Sequence, residues 1–192
     1  MTTITYPLSR IEGHARVVID IHDNEVFRAD FQAMEMRGFS YYVRGVPAEQ
    51  ITVIVPRICG VCSTAHQVAS VKALEDVFDI TPPPLALDIR EVLLLGQLIQ
   101  NQATSLFIFT MPDRANASSL FELSQSESGN PREFSLAQMA LKIRKIGTDL
   151  ISLAGGQFIH PIKTVIGGVT SGIPREKADR MINTIRELLP VA

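Results

Sequence analysis

Residues 57–78 read RICGVCSTAHQVASVKALEDVF and contain the strongest structural signal in the chain. After the second cysteine, apolar side chains recur at spacings of three and four, at Ala65, Val68, Ala69, Val71, Leu74, Val77 and Phe78. This periodicity predicts an amphipathic helix. Ser63 is a residue type that commonly caps a helix N-terminus, so we expect it to be the N-cap. Arg57 to Cys62 is then a connecting loop, and its two cysteines lie at the start of a helix.

Upstream of this loop the pattern changes to that of β-structure. Apolar and polar residues alternate from His14 to Ile21, and the pattern resumes from Val26 after Asp23 and Asn24. Alternation interrupted by two turn-forming residues predicts a β-hairpin. A short helix is expected to begin near Pro47 and to end at Pro56.

Downstream, three further helices are predicted from periodicity and from the positions of proline. They cover residues 85–110, 135–154 and 174–189. Residues 112–132 are rich in Ser, Asn, Asp, Gly and Pro and are interpreted as a loop or an insertion. The predicted fold class is therefore α+β, a small N-terminal antiparallel β-sheet followed by a bundle of long helices.

Composition excludes several classes of partner. The 18 basic and 20 acidic side chains nearly cancel, so neither nucleic acid nor an anionic membrane surface is favoured. The uncharged stretch 92–111 carries too many glutamines, threonines and other polar residues for lipid, and is interpreted as a helix buried on most sides by protein. No secretory signal is recognisable at the N-terminus, so we expect a cytoplasmic location, with membrane association only through partners.

The two thiols suit a soft metal. A helix N-terminus stabilises thiolates, Gly60 permits a tight turn between them, and His66 lies one helical turn after Cys62. His66 can hydrogen-bond to the Cys62 sulfur or serve as a ligand. Spacing alone leaves open a thioredoxin-like dithiol and a zinc site whose fourth ligand would come from His14, His22 or His160.

The motif Arg57-x-Cys59-Gly-x-Cys62-x-x-x-His66 resembles the N-terminal cysteine signature of nickel-iron hydrogenase large subunits. Three other stretches are similar to segments of that family in the same order. They are Arg10-Ile-Glu12-Gly13-His14, Met36-Arg37-Gly38-Phe39, and Ile159-His160-Pro161 followed by Gly167-Gly168-Val169. The resemblance covers most of the chain, so residues 1–192 are identified as the N-terminal part of a large, catalytic subunit.

The resemblance implies a nickel-iron centre, with carbon monoxide and cyanide on the iron, that splits dihydrogen reversibly into protons and electrons. Cys59 would be a terminal nickel ligand and Cys62 a bridge from nickel to iron. His66 would hydrogen-bond near Cys62, and Arg57 would orient the loop by pairing with a carboxylate. Glu12 would relay protons from a dry pocket. The electrons would pass to a small subunit holding iron-sulfur clusters, for which this chain has too few cysteines.

Two departures from the family pattern limit what is carried over. Ser40 stands where many members have a glutamate that binds an accessory magnesium or iron ion, so that ion is doubtful here. Glu35 is the nearby carboxylate that could replace this ligand, although a strand would point it to the other face. The C-terminal Asp-Pro-Cys-x-x-Cys-x-x-His motif is absent. The fold is thus apparently incomplete, and a continuation or a second chain must bring the other cysteine pair.

Two other functional classes remain open from the sequence. One is a non-catalytic hydrogenase-related scaffold like the complex I subunit of the same ancestry, which has lost its metal cysteines; the presence of both Cys59 and Cys62 argues against it. The other is a zinc or dithiol CxxC module. It would contain zinc or a reversible disulfide, and no nickel.

Overall fold

The computed structural model describes residues 1–125 and 131–189. The chain forms two compact units, Met1–Gly38 and Phe39–Ala192. The first contains only β-strands and the second is mainly helical, so the predicted α+β class is confirmed.

The first unit is a three-stranded antiparallel sheet with strand order β1-β2-β3. Its strands are β1 (Thr2–Pro7), β2 (Ala15–His22) and β3 (Glu25–Ala33). The predicted hairpin is confirmed as β2 and β3, and Asp23 and Asn24 form its turn with φ values of 51° and 65°. Strand β1, which the sequence pattern does not predict, pairs with β2 from Thr2 to Pro7. No residue of 1–38 is buried.

The second unit is built from helices and one small hairpin. In chain order the elements are α1 (Phe39–Tyr42), α2 (Ala48–Ile54), a 3-10 turn (Val55–Ile58), α3 (Ser63–Val77), α4 (Pro84–Ala103), a π-helical segment (Thr104–Thr110), α5 (Met111–Arg114), α6 (Leu120–Gln125), α7 (Pro131–Gly155), β4 (Thr164–Val165), β5 (Gly168–Val169) and α8 (Arg175–Leu188). All the predicted long helices are present. The stretch 112–132, predicted as a loop or insertion, contains α6 and parts of α5 and α7, and residues 126–130 lie outside the described residues.

The core of this unit lies between α3, α4 and α7. Its centre is an apolar cluster of Val68, Ile89, Leu93, Ile151 and Ala154. Two glycines let α4 and α7 approach closely. A Cβ atom added at Gly147 would lie 2.5 Å from the backbone nitrogen of Gln100, and one at Gly96 would lie 2.8 Å from the Cβ of Leu150. Such distances are far below a normal carbon contact, so both positions require glycine.

Helix α4 and its continuation are only partly covered. By length and composition the span Pro84–Arg114 could cross a membrane, and 28% of its apolar window is buried. A core helix of a soluble protein passes the same test, so this result is weak evidence for a membrane span. Leu93 is fully buried, whereas Leu95 and Leu98 are about half exposed. Within this chain the helix is therefore covered only in part, and its burial on most sides by further protein stays a prediction.

Candidate metal centre

The two cysteines converge at the start of α3. The 3-10 turn ends at Ile58, Cys59 follows in extended conformation, and Cys62 is the residue immediately before the helix. Their sulfurs are in disulfide contact with the Cα atoms 5.5 Å apart, and the Cys62 N–H donates to the Cys59 Sγ at 3.1 Å. A pair of sulfurs that meet in this way can bind one metal ion once reduced, because the thiolate is the metal-binding form.

The helix start differs from the prediction at one residue. Ser63 is not the N-cap, since Cys62 takes that position and no side chain caps the helix. Ser63 is instead the first helical residue and is almost fully buried. Its Oγ accepts a hydrogen bond from the backbone N–H of His160 at 3.2 Å. The hydroxyl therefore ties the cysteine segment to the chain that follows α7.

A glutamine on α4 also contacts the cysteine loop. The Nε2 of Gln97 donates to the carbonyl oxygen of Val61 at 2.8 Å, and the Gln97 residue is only 8% exposed. In the sequence, the feature that points towards this contact is the presence of three glutamines, Gln97, Gln100 and Gln102, in the uncharged stretch 92–111. The contact fixes the loop residue that lies between the two metal-binding candidates.

A buried ion pair links α3 and α4 to the β4–β5 hairpin. Glu75 and Arg90 are 5% and 3% exposed and share two hydrogen bonds of 2.6 and 2.8 Å. Arg90 also donates to the carbonyls of Val165 and Gly168, and the Gly167 N–H donates to Glu75. Burial raises the pKa of Glu75, but the hydrogen bonds from Arg90 and Gly167 and the nearby positive charges outweigh burial and hold that pKa below its ordinary value.

Arg57 and His66 lie close in sequence to the two cysteines. The Arg57 guanidinium donates to the carbonyl of Val53, one turn earlier in the chain. His66 is half-buried on α3, where its backbone N–H donates to the Cys62 carbonyl at 3.3 Å. A pairing of Arg57 with a carboxylate and a bond from His66 to the sulfur stay predictions.

The other motif belongs to the first unit. Glu12 lies in the connection between β1 and β2 and is exposed, so residues 1–38 do not form the dry pocket expected for a relay. The next residue, Gly13, has a φ of 77°, a conformation that favours glycine. The Nδ1 of His14 lies 2.5 Å from the Oε1 of Glu35, an ion pair when His14 is protonated. Glu35 is thus engaged with His14.

The donor set fits only part of a metal site. Among residues 1–125 and 131–189, no three or more His, Cys, Asp and Glu side chains are grouped so as to hold a metal ion. The zinc site that the cysteine spacing leaves open, with its fourth ligand from a scattered histidine, is therefore not assembled in the described part of the chain. Two soft sulfurs fit half of a nickel-iron site, which needs two further thiolates from elsewhere.

Family models match most of the N-terminal two thirds of the chain. The model described as "Nickel-dependent hydrogenase" matches residues 37–118, the range that contains Cys59 and Cys62. The model described as "HoxL-like" matches residues 3–36, the range that contains Glu12. The cysteine motif and the Glu12 motif therefore lie inside these two matches, whereas the stretch 159–169 lies outside them.

Similar proteins extend this relation to nearly the whole chain. One subunit of the F420-non-reducing hydrogenase vhu of Methanocaldococcus jannaschii is 31% identical over 195 residues, which cover 97% of this chain and 45% of that protein. The NAD-reducing hydrogenase HoxS subunit beta of Cupriavidus necator is 30% identical, over 96% of this chain and 40% of that protein. The chain thus spans less than half the length of the curated relatives it matches.

Solved structures of hydrogenases superpose on nearly the whole chain. An NAD+-reducing [NiFe]-hydrogenase in the H2-reduced state superposes with a TM-score of 0.87 at 28% identity, covering 98% of this chain and 43% of the other. The [NiFeSe]-hydrogenase of Dm. baculatum superposes with a TM-score of 0.79 at 26% identity, covering 97% and 42%. The α+β fold found here is therefore the fold of part of these proteins.

Proposed function

We propose that this chain, which belongs to the nickel-dependent hydrogenase family, supplies the N-terminal half of a hydrogenase catalytic site. The observation that carries the proposal is the convergence of the Cys59 and Cys62 sulfurs at the start of α3. A nickel-iron centre held in this way would supply the reversible heterolytic cleavage of dihydrogen. The chain would act within a larger subunit or complex and not alone.

Within the proposed site, the thiolates of Cys59 and Cys62 would be the ligands through which this chain holds the nickel-iron centre. The chain prepares both sulfurs for this role. They stand at the N-terminus of α3, where the helix dipole favours negative charge. The Cys62 N–H that donates to the Cys59 sulfur stabilises its thiolate form further. His66 and Arg57 would surround the ligands, with His66 hydrogen-bonding near Cys62.

We assign the role of proton carrier to Glu12. Heterolytic cleavage releases a proton that a base must carry away, and a carboxyl group can accept and release it. Glu12 lies in the segment matched by the second family model, and the turn around it is fixed by the left-handed Gly13. Because residues 1–38 leave Glu12 exposed, a dry pocket around it would need protein from outside these residues.

The remaining parts of the enzyme would come from partners. Relatives named as subunits of multi-subunit hydrogenases support a heteromeric complex. We propose a small subunit with iron-sulfur clusters as electron acceptor, and a continuation or second chain with the other cysteine pair. Carbon monoxide and cyanide on the iron, and a cytoplasmic location, belong to the same proposal; the accessory magnesium ion does not.

The test uses the complex purified from its native host with variants of this chain. Cys62→Ser removes one donor, so we expect nickel and iron to fall to background by metal analysis. Val61→Ser is the matched control, because it places the same side chain one residue earlier and keeps both sulfurs. Wild-type nickel and iron in Cys62→Ser would overturn the ligand assignment.

The disulfide contact favours one second candidate, a dithiol module. In that case the purified complex would contain a Cys59–Cys62 bond that opens and closes with the reductant, and no nickel in the wild type. The same metal analysis separates the two functions.

A further inference from the structure

We infer that Gln97 is a positioning residue for the metal centre, acting through the peptide group between Val61 and Cys62. The inference rests on the proposed function for its catalytic meaning, but the contact belongs to this chain alone. Gln97 acts on the cysteines through this peptide group, whose N–H donates to the Cys59 sulfur.

Both ends of this peptide group are engaged. The carbonyl of Val61 accepts a hydrogen bond from the Gln97 Nε2 at 2.8 Å, and the N–H of Cys62 donates to the Cys59 sulfur at 3.1 Å. A peptide group is planar, so fixing the direction of its C=O fixes the direction of its N–H. Hydrogen bonds in a chain also polarise one another, so a donor on the carbonyl strengthens the N–H as a donor. Gln97 thus both aims and strengthens the hydrogen bond to Cys59.

Gln97 is itself fixed by its surroundings. It is 8% exposed, so its amide has little water to compete for it. On the same face of α4, the next positions continue a polar line. The Gln97 Nε2 lies 3.5 Å from the Oε1 of Gln100. The Gln100 Nε2 donates to the hydroxyl of Thr104 at 3.1 Å, and the Nε of Arg144 on α7 donates to the same hydroxyl. This line runs beside the close α4–α7 crossing, where packing leaves little room for rotamer changes.

The consequence for a bound metal follows from general rules. Hydrogen bonds to a ligating sulfur withdraw electron density from it and are among the features by which proteins tune metal–thiolate sites. Removing the Gln97 amide frees the peptide to rotate and weakens the N–H bond to Cys59. The metal should stay bound, because both sulfurs remain, while its electronic environment changes.

The first experiment measures the loop directly. Amide hydrogen exchange of the Cys62 N–H is compared in the wild-type full chain, Gln97→Met, Gln97→Glu and Gln102→Met. The methionine removes the donor at similar volume, the glutamate keeps the shape but cannot donate when ionised, and Gln102 is an exposed residue of the same helix. We expect roughly 2- to 10-fold faster exchange in both Gln97 variants, the equivalent of one net hydrogen bond. Unchanged exchange in both, with the variants folded, would overturn the inference.

The second experiment uses the purified complex. Gln97→Met should keep wild-type nickel and iron but shift the infrared bands of the iron ligands, and Gln102→Met should leave the bands in place. Unshifted bands in Gln97→Met would refute the positioning role. A wild-type complex without nickel and without such bands refutes the proposed function instead, while faster exchange in the first experiment would still establish that Gln97 holds the loop.

Discussion

The two units of this chain contain similar polar pairs in opposite environments. In the first unit His14 and Glu35 approach to 2.5 Å, yet their side chains are 81% and 50% exposed. In the second unit Glu75 and Arg90 approach to 2.6 Å and are almost fully buried. An exposed pair is screened by water and contributes little, whereas an opened buried pair leaves an unpaired charge. The distances are alike, and burial decides which pair matters for folding.

The two units also carry different kinds of candidate site residue, metal ligands in the second unit and a proton carrier in the first. Cys59 and Cys62 stand on a segment that Gln97 holds by a partly buried hydrogen bond, and Ser63 at the helix start is bonded to the His160 backbone. Glu12 stands in an exposed connection of a sheet with no buried residue. A metal ligand set needs fixed geometry, while a proton carrier needs access to donors and acceptors. We expect the first unit to affect proton transfer and the second to affect stability and metal retention.

The largest expected effect comes from Glu12→Gln. Removing the ionisable carboxyl group should slow hydrogen–deuterium exchange activity of the complex by roughly 10²- to 10⁴-fold, the usual contribution of a positioned acid or base. Nickel content should stay at the wild-type level. Glu25→Gln, at an exposed glutamate in β3, is the control. Full turnover in Glu12→Gln would remove the relay assignment.

Glu75→Gln should give the next largest effect, on stability. It leaves the buried Arg90 without its counter-ion, so the free energy of unfolding should fall by roughly 3–5 kcal/mol. The matched control is Glu35→Gln, the same change in the exposed pair, for which we expect less than about 1 kcal/mol. Chemical denaturation of the full chain measures both. Equal losses would show that burial does not distinguish the pairs.

Gly147→Ala should be less severe. The added Cβ would lie 2.5 Å from the backbone of Gln100, so α4 and α7 must separate, at a cost of about 1–3 kcal/mol. Gly172→Ala is the control, because a Cβ there meets nothing within 4 Å. Thermal unfolding of both variants tests the close approach, and an unchanged melting temperature in Gly147→Ala would contradict it.

The smallest expected effect is on the stability of the chain at acidic pH. The pKa of Glu75 is lower in the folded chain than its ordinary value of 4.5, so its stabilising contribution is fully present above that value. The contribution is lost as the pH falls through the lower folded pKa. Wild-type stability should therefore decline in this acid range more steeply than that of Glu75→Gln, as denaturation curves taken between neutral and acidic pH would show. Parallel declines would indicate that another carboxyl group is responsible.

The parts of the fold that can be predicted from the sequence are those with local signals. The β2–β3 hairpin follows from alternation and from the Asp23-Asn24 turn, and α3 follows from its apolar spacing. Strand β1 cannot be predicted from the sequence because it is short and all its residues are exposed. Without a buried face, its sequence need not alternate strongly between apolar and polar residues. The prediction of Ser63 as the cap is wrong because its hydroxyl bonds to His160, which is distant in sequence.

The site shows the same division. Cys59 and Cys62 can be found from the sequence because only two residues separate them at a helix start, which is a local pattern. The Gln97 contact cannot, because its partner lies 36 residues earlier and no periodicity reports such a pair. Glu75 and Arg90 escape notice because charged residues on helices usually face water, and only the packing of α3 against α4 buries them.

The most direct test of the central claim is metal analysis with infrared spectroscopy of the complex purified from its native host, with each co-purifying chain identified. We expect nickel and iron together, carbon monoxide and cyanide stretching bands, and a continuation or companion chain with a second cysteine pair. Zinc or no metal, without those bands, would contradict the claim and leave a hydrogenase-like scaffold with another function.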